Sequence, residues 1–279
     1  MAATALASLV DGGHQVVAVV TRPDRRRGRG GGIDPSPVKE VATTHRLPVF
    51  HRAAEVVGSG AEIGVVVAYG SIIKPEVLAA LPMVNLHFSL LPRWRGAAPV
   101  ERAILAGDAE TGVCLMEVVP ELDAGGVYMR EKLPIGPDES AAELRERLGE
   151  IGNRLLGAAL SDLPGSLGAP KPQAGEPTWA DKISLSELRL DWSRPAAQLA
   201  RVVRVGRAWA VFRDQRLVVW RARVVAGDSV GQPGLLDGVR VGTGDGALEL
   251  IEVQPAGKRR MAASDWARGV HAGTGECLA

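Results

Sequence analysis

Apolar residues in the first 160 positions follow two rhythms. Continuous aliphatic runs at 15–20 and 62–68 predict buried strands of the parallel-sheet type. Shorter apolar runs predict further strands at 84–87, 112–119 and 127–133. Between them the spacing changes to three and four, which predicts helices at 2–10 (ending at Gly12-Gly13), at 98–105 (ending at Gly107) and at 138–160. In the last of these Leu144, Leu148, Ile151, Leu155 and Leu156 share one face. Ser36 followed by Pro37 reads as a helix start, with a hydroxyl cap and a ring that presets the first turn. Strands alternating with helices predict a doubly wound α/β domain with a mostly parallel sheet over residues 1–160.

The rhythm then breaks. Residues 161–177 hold Pro164, Pro170, Pro172 and Pro177 with Gly165, Gly168 and Gly175, so 161–180 reads as an inter-domain linker. Beyond it, strands are predicted at 216–225, 239–242 and 247–253, separated by Gly-rich turns. A small Greek-key β-barrel over 181–279 accounts for them.

Composition narrows the class. A chain of 279 residues with 46% hydrophobic and 23% charged residues suits a globular protein of one large or two ordinary domains. No apolar run is long enough to predict a membrane span, and the amino terminus lacks the pattern of a secretory signal. Cytoplasmic location is the resulting expectation. Cys114 and Cys277 are too few and too far apart for a disulfide framework or a zinc site, and no His/Cys cluster suggests a metal. No Gly-x-Gly-x-x-Gly lies between a predicted strand and a helix, which leaves dinucleotide binding without support. The net charge of +1 hides an asymmetry: residues 201–279 carry 12 Lys/Arg against 8 Asp/Glu, and residues 1–200 carry 21 against 24. A mildly basic carboxyl-terminal region can attract a polyanion.

Candidate chemistry gathers at the end of the strand predicted at 84–87. Period-two geometry puts Asn85 and His87 on one face. Polar groups at the carboxyl end of a strand, followed by a loop and a helix, mark where open α/β sheets bind ligands. An amide donor beside a titratable base suits a reaction that passes through an oxyanion. Asp123 sits at the end of another predicted strand, in an Asp-Ala-Gly turn. Arg22, Arg25, Arg26, Arg27 and Arg29, mixed with Gly28 and Gly30–Gly32, form the most basic loop, a composition that can wrap a phosphate backbone. Lys258, Arg259 and Arg260 form a second basic patch. Trp94, between Arg93 and Arg95, can stack or pack.

These residues also resemble a known family. Asn-x-His, Ser-Leu-Leu-Pro and Arg-Trp-Arg-Gly-Ala-Ala-Pro, over 85–99, are similar to the central block of the methionyl-tRNA formyltransferase family. Matching blocks stand at 19–24, 35–39, 66–70, 122–125 and 254–258, in order along nearly the whole chain. The resemblance implies a formyltransferase domain followed by a barrel resembling the oligonucleotide-binding fold. It implies formyl transfer from 10-formyltetrahydrofolate to the amino group of methionyl initiator tRNA, by a monomer and with no metal. Asn85, His87 and Asp123 match the family's catalytic residues. Ser89, Leu90, Leu91 and Pro92 match the segment that lines the folate pocket with backbone groups, and Tyr69 lies on a neighbouring loop. Arg25, Arg27 and Arg29 fall in the family's tRNA-contacting loop, where Arg29 matches the arginine of its Gly-Arg-Gly. Ala124 stands where the family usually has Thr, and Gly30-Gly-Gly32 where it often has basic residues.

The resemblance also implies a first strand that this chain does not show. Residues 2–10 read as a helix, whereas a doubly wound domain normally opens with a strand that lies mid-sheet. Losing four buried aliphatics from such a strand would cost about 6–12 kcal/mol. The expectation is therefore that Met1 is not the native start. Alternatives to the tRNA reading are formyl transfer to another amine (a sugar nucleotide or glycinamide ribonucleotide), a tRNA-binding protein without turnover, and a generic α/β protein in which Asn85 and His87 are structural.

Overall fold

A computed structural model describes residues 1–26, 33–161, 167–225, 231–273 and 275–279. It divides into two compact units, one made of residues 1–99, 110–134 and 145–181, the other of residues 100–109, 135–144 and 182–279. No helix among the described residues is long and apolar enough to cross a membrane.

In chain order the first unit starts with α1 (Ala2–Asp11), β1 (Val19–Val20), a short antiparallel hairpin of β2 (Arg25–Arg26) and β3 (Ile33–Asp34), α2 (Pro37–Thr44) and β4 (Val49–Phe50). The predicted start of α2 is as expected: Ser36 Oγ accepts the Lys39 amide at 3.2 Å and Pro37 occupies the first turn. β5 (Gly64–Val67), α3 (Pro75–Ala80), β6 (Met83–His87) and β7 (Arg95–Gly96) follow. α4 (Pro99–Ala106), which from residue 100 belongs to the second unit, then leads to β8 (Glu110–Glu117), β9 (Val127–Pro134), α5 (Ala141–Leu160), which belongs to the first unit from residue 145, and β10 (Trp179–Ala180).

The main sheet has the order β5-β6-β8-β9 and is mixed. β5 and β6 run parallel, whereas β6–β8 and β8–β9 are antiparallel. The β8–β9 pair is joined by a short loop, as antiparallel neighbours can be, whereas β6 and β8 are antiparallel across a longer connection that holds β7 and α4. β1 and β4 form a separate parallel pair. Among the described residues no strand is hydrogen-bonded to the free edge of β1 or of β5. This explains two differences from the hydrophobic pattern. The run 15–20 forms a ladder over Val19–Val20 alone, and β5 is half-buried along its length where a fully buried strand was predicted. In β6 Met83, Val84, Leu86 and His87 are buried, and Leu86 meets Gly152 of α5, which brings that helix close to the strand.

The second unit continues with α6 (Ala196–Val205), β11 (Ala208–Phe212), β12 (Gln215–Val225), β13 (Leu236–Asp237), β14 (Arg240–Gly242), β15 (Ala247–Pro255), β16 (Met261–Ala262) and α7 (Ala263–Gly269). Its antiparallel sheet has the order β11-β12-β15-β14-β13, with β16 also on β15. The strands alternate buried and exposed positions, and Leu217, Val219, Leu248, Leu250 and Val253 form one core with Leu199 and Val203 of α6. Phe212 meets Trp266 of α7 edge to face, with ring centroids 5.0 Å apart. α6 has a strongly apolar face, with Ala196, Leu199 and Val203 buried, but it escaped the sequence reading because it follows a proline-rich stretch.

Candidate active site

His87 and Asp123 meet in the first unit, and Asn85 stands two residues before His87 on β6. β6 carries Asn85 and His87 on one face, as period two requires. Asn85 is half-buried, and its carboxamide has no hydrogen-bond partner among the described residues. His87 is 5% exposed. Its Nε2 lies 2.8 Å from the Trp94 carbonyl oxygen, which can only accept, so Nε2 carries the proton. Nδ1 then lies 3.6 Å from Asp123 Oδ2. Cys114, opposite His87 on β8, is fully buried, and burial pushes its thiol up, so it is neutral.

Burial is the main influence on His87 and pushes its pKa below the usual histidine value. The Asp123 carboxylate and the Trp94 carbonyl oppose that shift, and the Arg95 guanidinium adds to it. The imidazole is therefore neutral at pH 7, with a lone pair on Nδ1. Because the folded pKa is depressed, the stability linked to this group is present above the unfolded value of about 6.5. It falls as pH drops below that value, by at most about 1.4 kcal/mol per pH unit for one proton. Urea unfolding followed from pH 7.5 to 5 should show this loss, and His87→Asn should show less of it. Equal slopes in parent and variant would remove the assignment.

Asp123 lies on the loop between β8 and β9 in a left-handed conformation, φ +48°. Its Oδ2 accepts the Gly96 amide at 2.8 Å, and Oδ1 has no protein partner among the described residues. Trp94, φ +64°, is the second left-handed residue here, and Ala68, φ +49°, closes β5 on the neighbouring loop. Non-glycine residues in this region are strained and persist where their surroundings hold them. The Trp94 amide donates to Thr178 Oγ1 at 2.9 Å, and β7 pairs with β10 in parallel. The role of Trp94 is thus carried by its backbone, while its ring lies under the Arg93 guanidinium at 4.4 Å.

The folate-segment candidates serve mainly by shaping the loop. Ser89 is fully buried and its hydroxyl donates to the Arg93 carbonyl at 2.6 Å. Leu91 packs into the core with Cys114 and Met116. Leu90 is half-buried, and Pro92, joined to Leu91 by a cis peptide bond, accepts the Thr178 amide. Tyr69 is half-buried and packs against the cluster formed by Val56, Ile73, Val77, Leu81 and Met83. Of the basic candidates, Arg27 and Arg29 lie outside the described residues, and for Arg25 only the backbone is described. Lys258, Arg259 and Arg260 are exposed in the second unit, with the Arg260 guanidinium 3.3 Å above the Trp220 ring.

The sequence assigned no site role to three residues near the site. Arg95 stood out only as a neighbour of Trp94, and Gln173 and Thr178 lie in a segment whose composition reads as linker. That segment is folded against the site loops from Pro170 onward, through the Lys171–Val127 bridge and β10.

Residues 1–160 match the family model described as formyl transferase, and residues 182–271 match that of the formyl transferase C-terminal domain. The methionyl-tRNA formyltransferase of Symbiobacterium thermophilum is 43% identical over 290 residues, spanning 96% of this chain and 89% of its own. That of Dechloromonas aromatica is 44% identical over 280 residues, spanning 93% and 90%. Among solved structures, an N-formyltransferase from Helicobacter canadensis, in complex with folinic acid and dTDP-3-aminofucose, shares the fold with a TM-score of 0.68. It is 14% identical, over 89% of this chain and 94% of its own. HypX from Aquifex aeolicus, in complex with tetrahydrofolic acid, gives a TM-score of 0.62 at 21% identity, over 84% of this chain and 44% of its own.

Proposed function

Because the chain belongs to the formyl transferase family, we propose that it transfers a formyl group from 10-formyltetrahydrofolate to the free amino group of methionyl initiator tRNA. The observation that carries this reading is identity of about 43% over most of both chains to relatives named for that reaction, on a chain that keeps Asn85 and His87 on one strand and Asp123 beside His87.

The chemistry follows from the groups available. The α-amine attacks the formyl carbon and forms a C–N bond and a tetrahedral oxyanion. The carbon–nitrogen bond to the folate then breaks, and the folate nitrogen leaves with the bonding pair. Asn85, with a free carboxamide beside the strand end, donates a hydrogen bond to the oxyanion. The attacking amine must lose a proton. The His87–Asp123 pair takes it and passes it to the departing folate nitrogen, which leaves as N–H: Nδ1 has a lone pair, and the carboxylate 3.6 Å away stabilises the imidazolium while it holds the proton. The backbone of 89–92 borders the folate, with Tyr69 on the adjoining loop.

The acceptor is a tRNA in this reading because the second unit carries exposed Lys258, Arg259 and Arg260. Arg25, Arg27 and Arg29 add a second basic stretch in the sequence. The test is an acceptor panel with the folate donor: methionyl initiator tRNA, a sugar-nucleotide amine and glycinamide ribonucleotide. Turnover should be confined to the tRNA. Affinity for it should fall steeply between about 50 and 200 mM salt, as expected for several phosphate contacts. Replacing Lys258, Arg259 and Arg260 together by Ala should flatten the logarithmic salt slope by about 2–3. Faster turnover of a small amine, or an unchanged slope, would defeat the tRNA assignment or the patch respectively.

A further inference from the structure

Gln173 stands outside every motif the sequence offers, yet its side chain joins the two loops that frame the site. Its Nε2 donates to the Asp123 carbonyl at 2.7 Å and to the Gly125 carbonyl at 2.9 Å. Its Oε1 accepts from Arg95 Nε at 3.1 Å and from Arg95 Nη2 at 2.8 Å. The partners leave no choice of amide orientation, since carbonyls only accept and a guanidinium only donates. Both donors and both lone pairs of the amide are therefore used.

We propose that Gln173 is a positioning residue that holds the Asp123–Gly125 turn against the Arg95 guanidinium, keeping the Asp123 carboxylate beside His87 Nδ1. The role of that carboxylate in turnover rests on the formyl-transfer reading; the geometric claim does not. Asp123 occupies a left-handed conformation that its own backbone does not favour. The Gln173 bonds fall on the carbonyls of Asp123 and of Gly125, and so clamp the turn on both sides of Ala124. Gln173 is itself held. Two residues before it, Lys171 bridges Val127 of β9, and five residues after it the Thr178 carbonyl accepts the Arg95 amide at 2.8 Å. Arg95 is 9% exposed, so its guanidinium is a fixed anchor and not a mobile surface charge. A carboxylate at 173 would keep the Arg95 contact but turn an acceptor toward two carbonyl oxygens, so glutamate should fail where glutamine succeeds.

The test uses the full chain with Gln173→Met, Gln173→Glu and Asp123→Asn. With methionyl initiator tRNA, kcat should drop about tenfold or more in Q173M and Q173E, with KM for the tRNA nearly unchanged. Q173M combined with D123N should cost no more than D123N alone, because both act through one carboxylate. Independently of turnover, NMR titration should place the His87 pKa lower in Q173M than in the parent, in the direction D123N moves it. The groups facing His87 in that titration are Asp123, Arg95 and the neutral Cys114, and the His87→Asn spectrum identifies the signal. A kcat within twofold of the parent in both variants, full additivity with D123N, or an unmoved His87 pKa overturns the proposal. A parent chain that does not formylate the tRNA overturns the functional reading instead, and the titration still decides the role of Gln173. If Q173M does not fold, Q173E, which keeps the Arg95 contact, decides by its kinetics.

Discussion

Asp123→Asn should lower kcat for formyl transfer by about 10²–10⁴, the range for loss of a positioned proton-transfer group, and Asn85→Ala by about 10²–10³. Both effects should appear with little change in stability. Asparagine at 123 can still accept the Gly96 amide through its carbonyl oxygen, so the loop keeps its 2.8 Å anchor while the charge is lost. Asn85 is half-buried with a free carboxamide, so truncation leaves no buried partner unsatisfied. The Asp123 variant also removes the carboxylate that raises His87 against the effect of burial, so the imidazole becomes a weaker base. Steady-state kinetics and thermal unfolding on the same preparations decide the matter. Near-parental kcat in either variant would strike that residue from the mechanism, and a collapse of the melting temperature would show that its role is structural.

Gly125→Ala should be as damaging through a different cause. A Cβ at this position would lie 2.0 Å from the Glu117 carbonyl oxygen and 2.8 Å from its carbon. The obstacle is backbone, and that backbone is committed: the Glu117 amide donates to the Gly126 carbonyl at 2.8 Å, beside the register shift of the β8–β9 ladder. The turn must move, and Asp123 moves with it. The expected cost is about 2–4 kcal/mol of stability, as for other severe steric substitutions, with turnover reduced at least as far as in Asp123→Asn. Denaturant unfolding and kinetics check the two parts. Parental stability and kcat in Gly125→Ala would show that the close approach can be relieved cheaply. The glycine of the Asp-Ala-Gly turn thus has a steric reason: the strand behind it leaves no room for a side chain.

The Asn85/His87 pair was legible because period two is a local property of a strand. Asp123 was legible only beside the family motif, since 36 positions separate it from His87 and Asp-Ala-Gly is an ordinary turn sequence. Gln173 was not legible at all. It is 50 positions from Asp123 and 78 from Arg95, in a Pro/Gly-rich segment whose composition says nothing of what it packs against. Trp94 drew notice for its ring, whereas the structure uses its carbonyl and amide, which every residue but proline has.

The fold divides in the same way. α4, α5, β6, β8 and β9 fall within a few positions of the patterns that predicted them, because each is written in the spacing of neighbouring side chains. The pattern could not say that β8 and β9 lie antiparallel beside β6, or that β1–β4 and β5–β6 stand in separate ladders, because pairing depends on which edges meet in space. Sequence alone determined α4, α5, β6, β8 and β9 and the residue types that can stabilise an oxyanion and accept a proton. Only the tertiary structure decided that His87 is neutral with its proton on Nε2, and that a glutamine from the supposed linker bonds to the turn that carries Asp123. The physical reason is that burial, tautomer and hydrogen-bond partner are set by atoms distant in the chain, whereas periodicity is set by atoms adjacent in it.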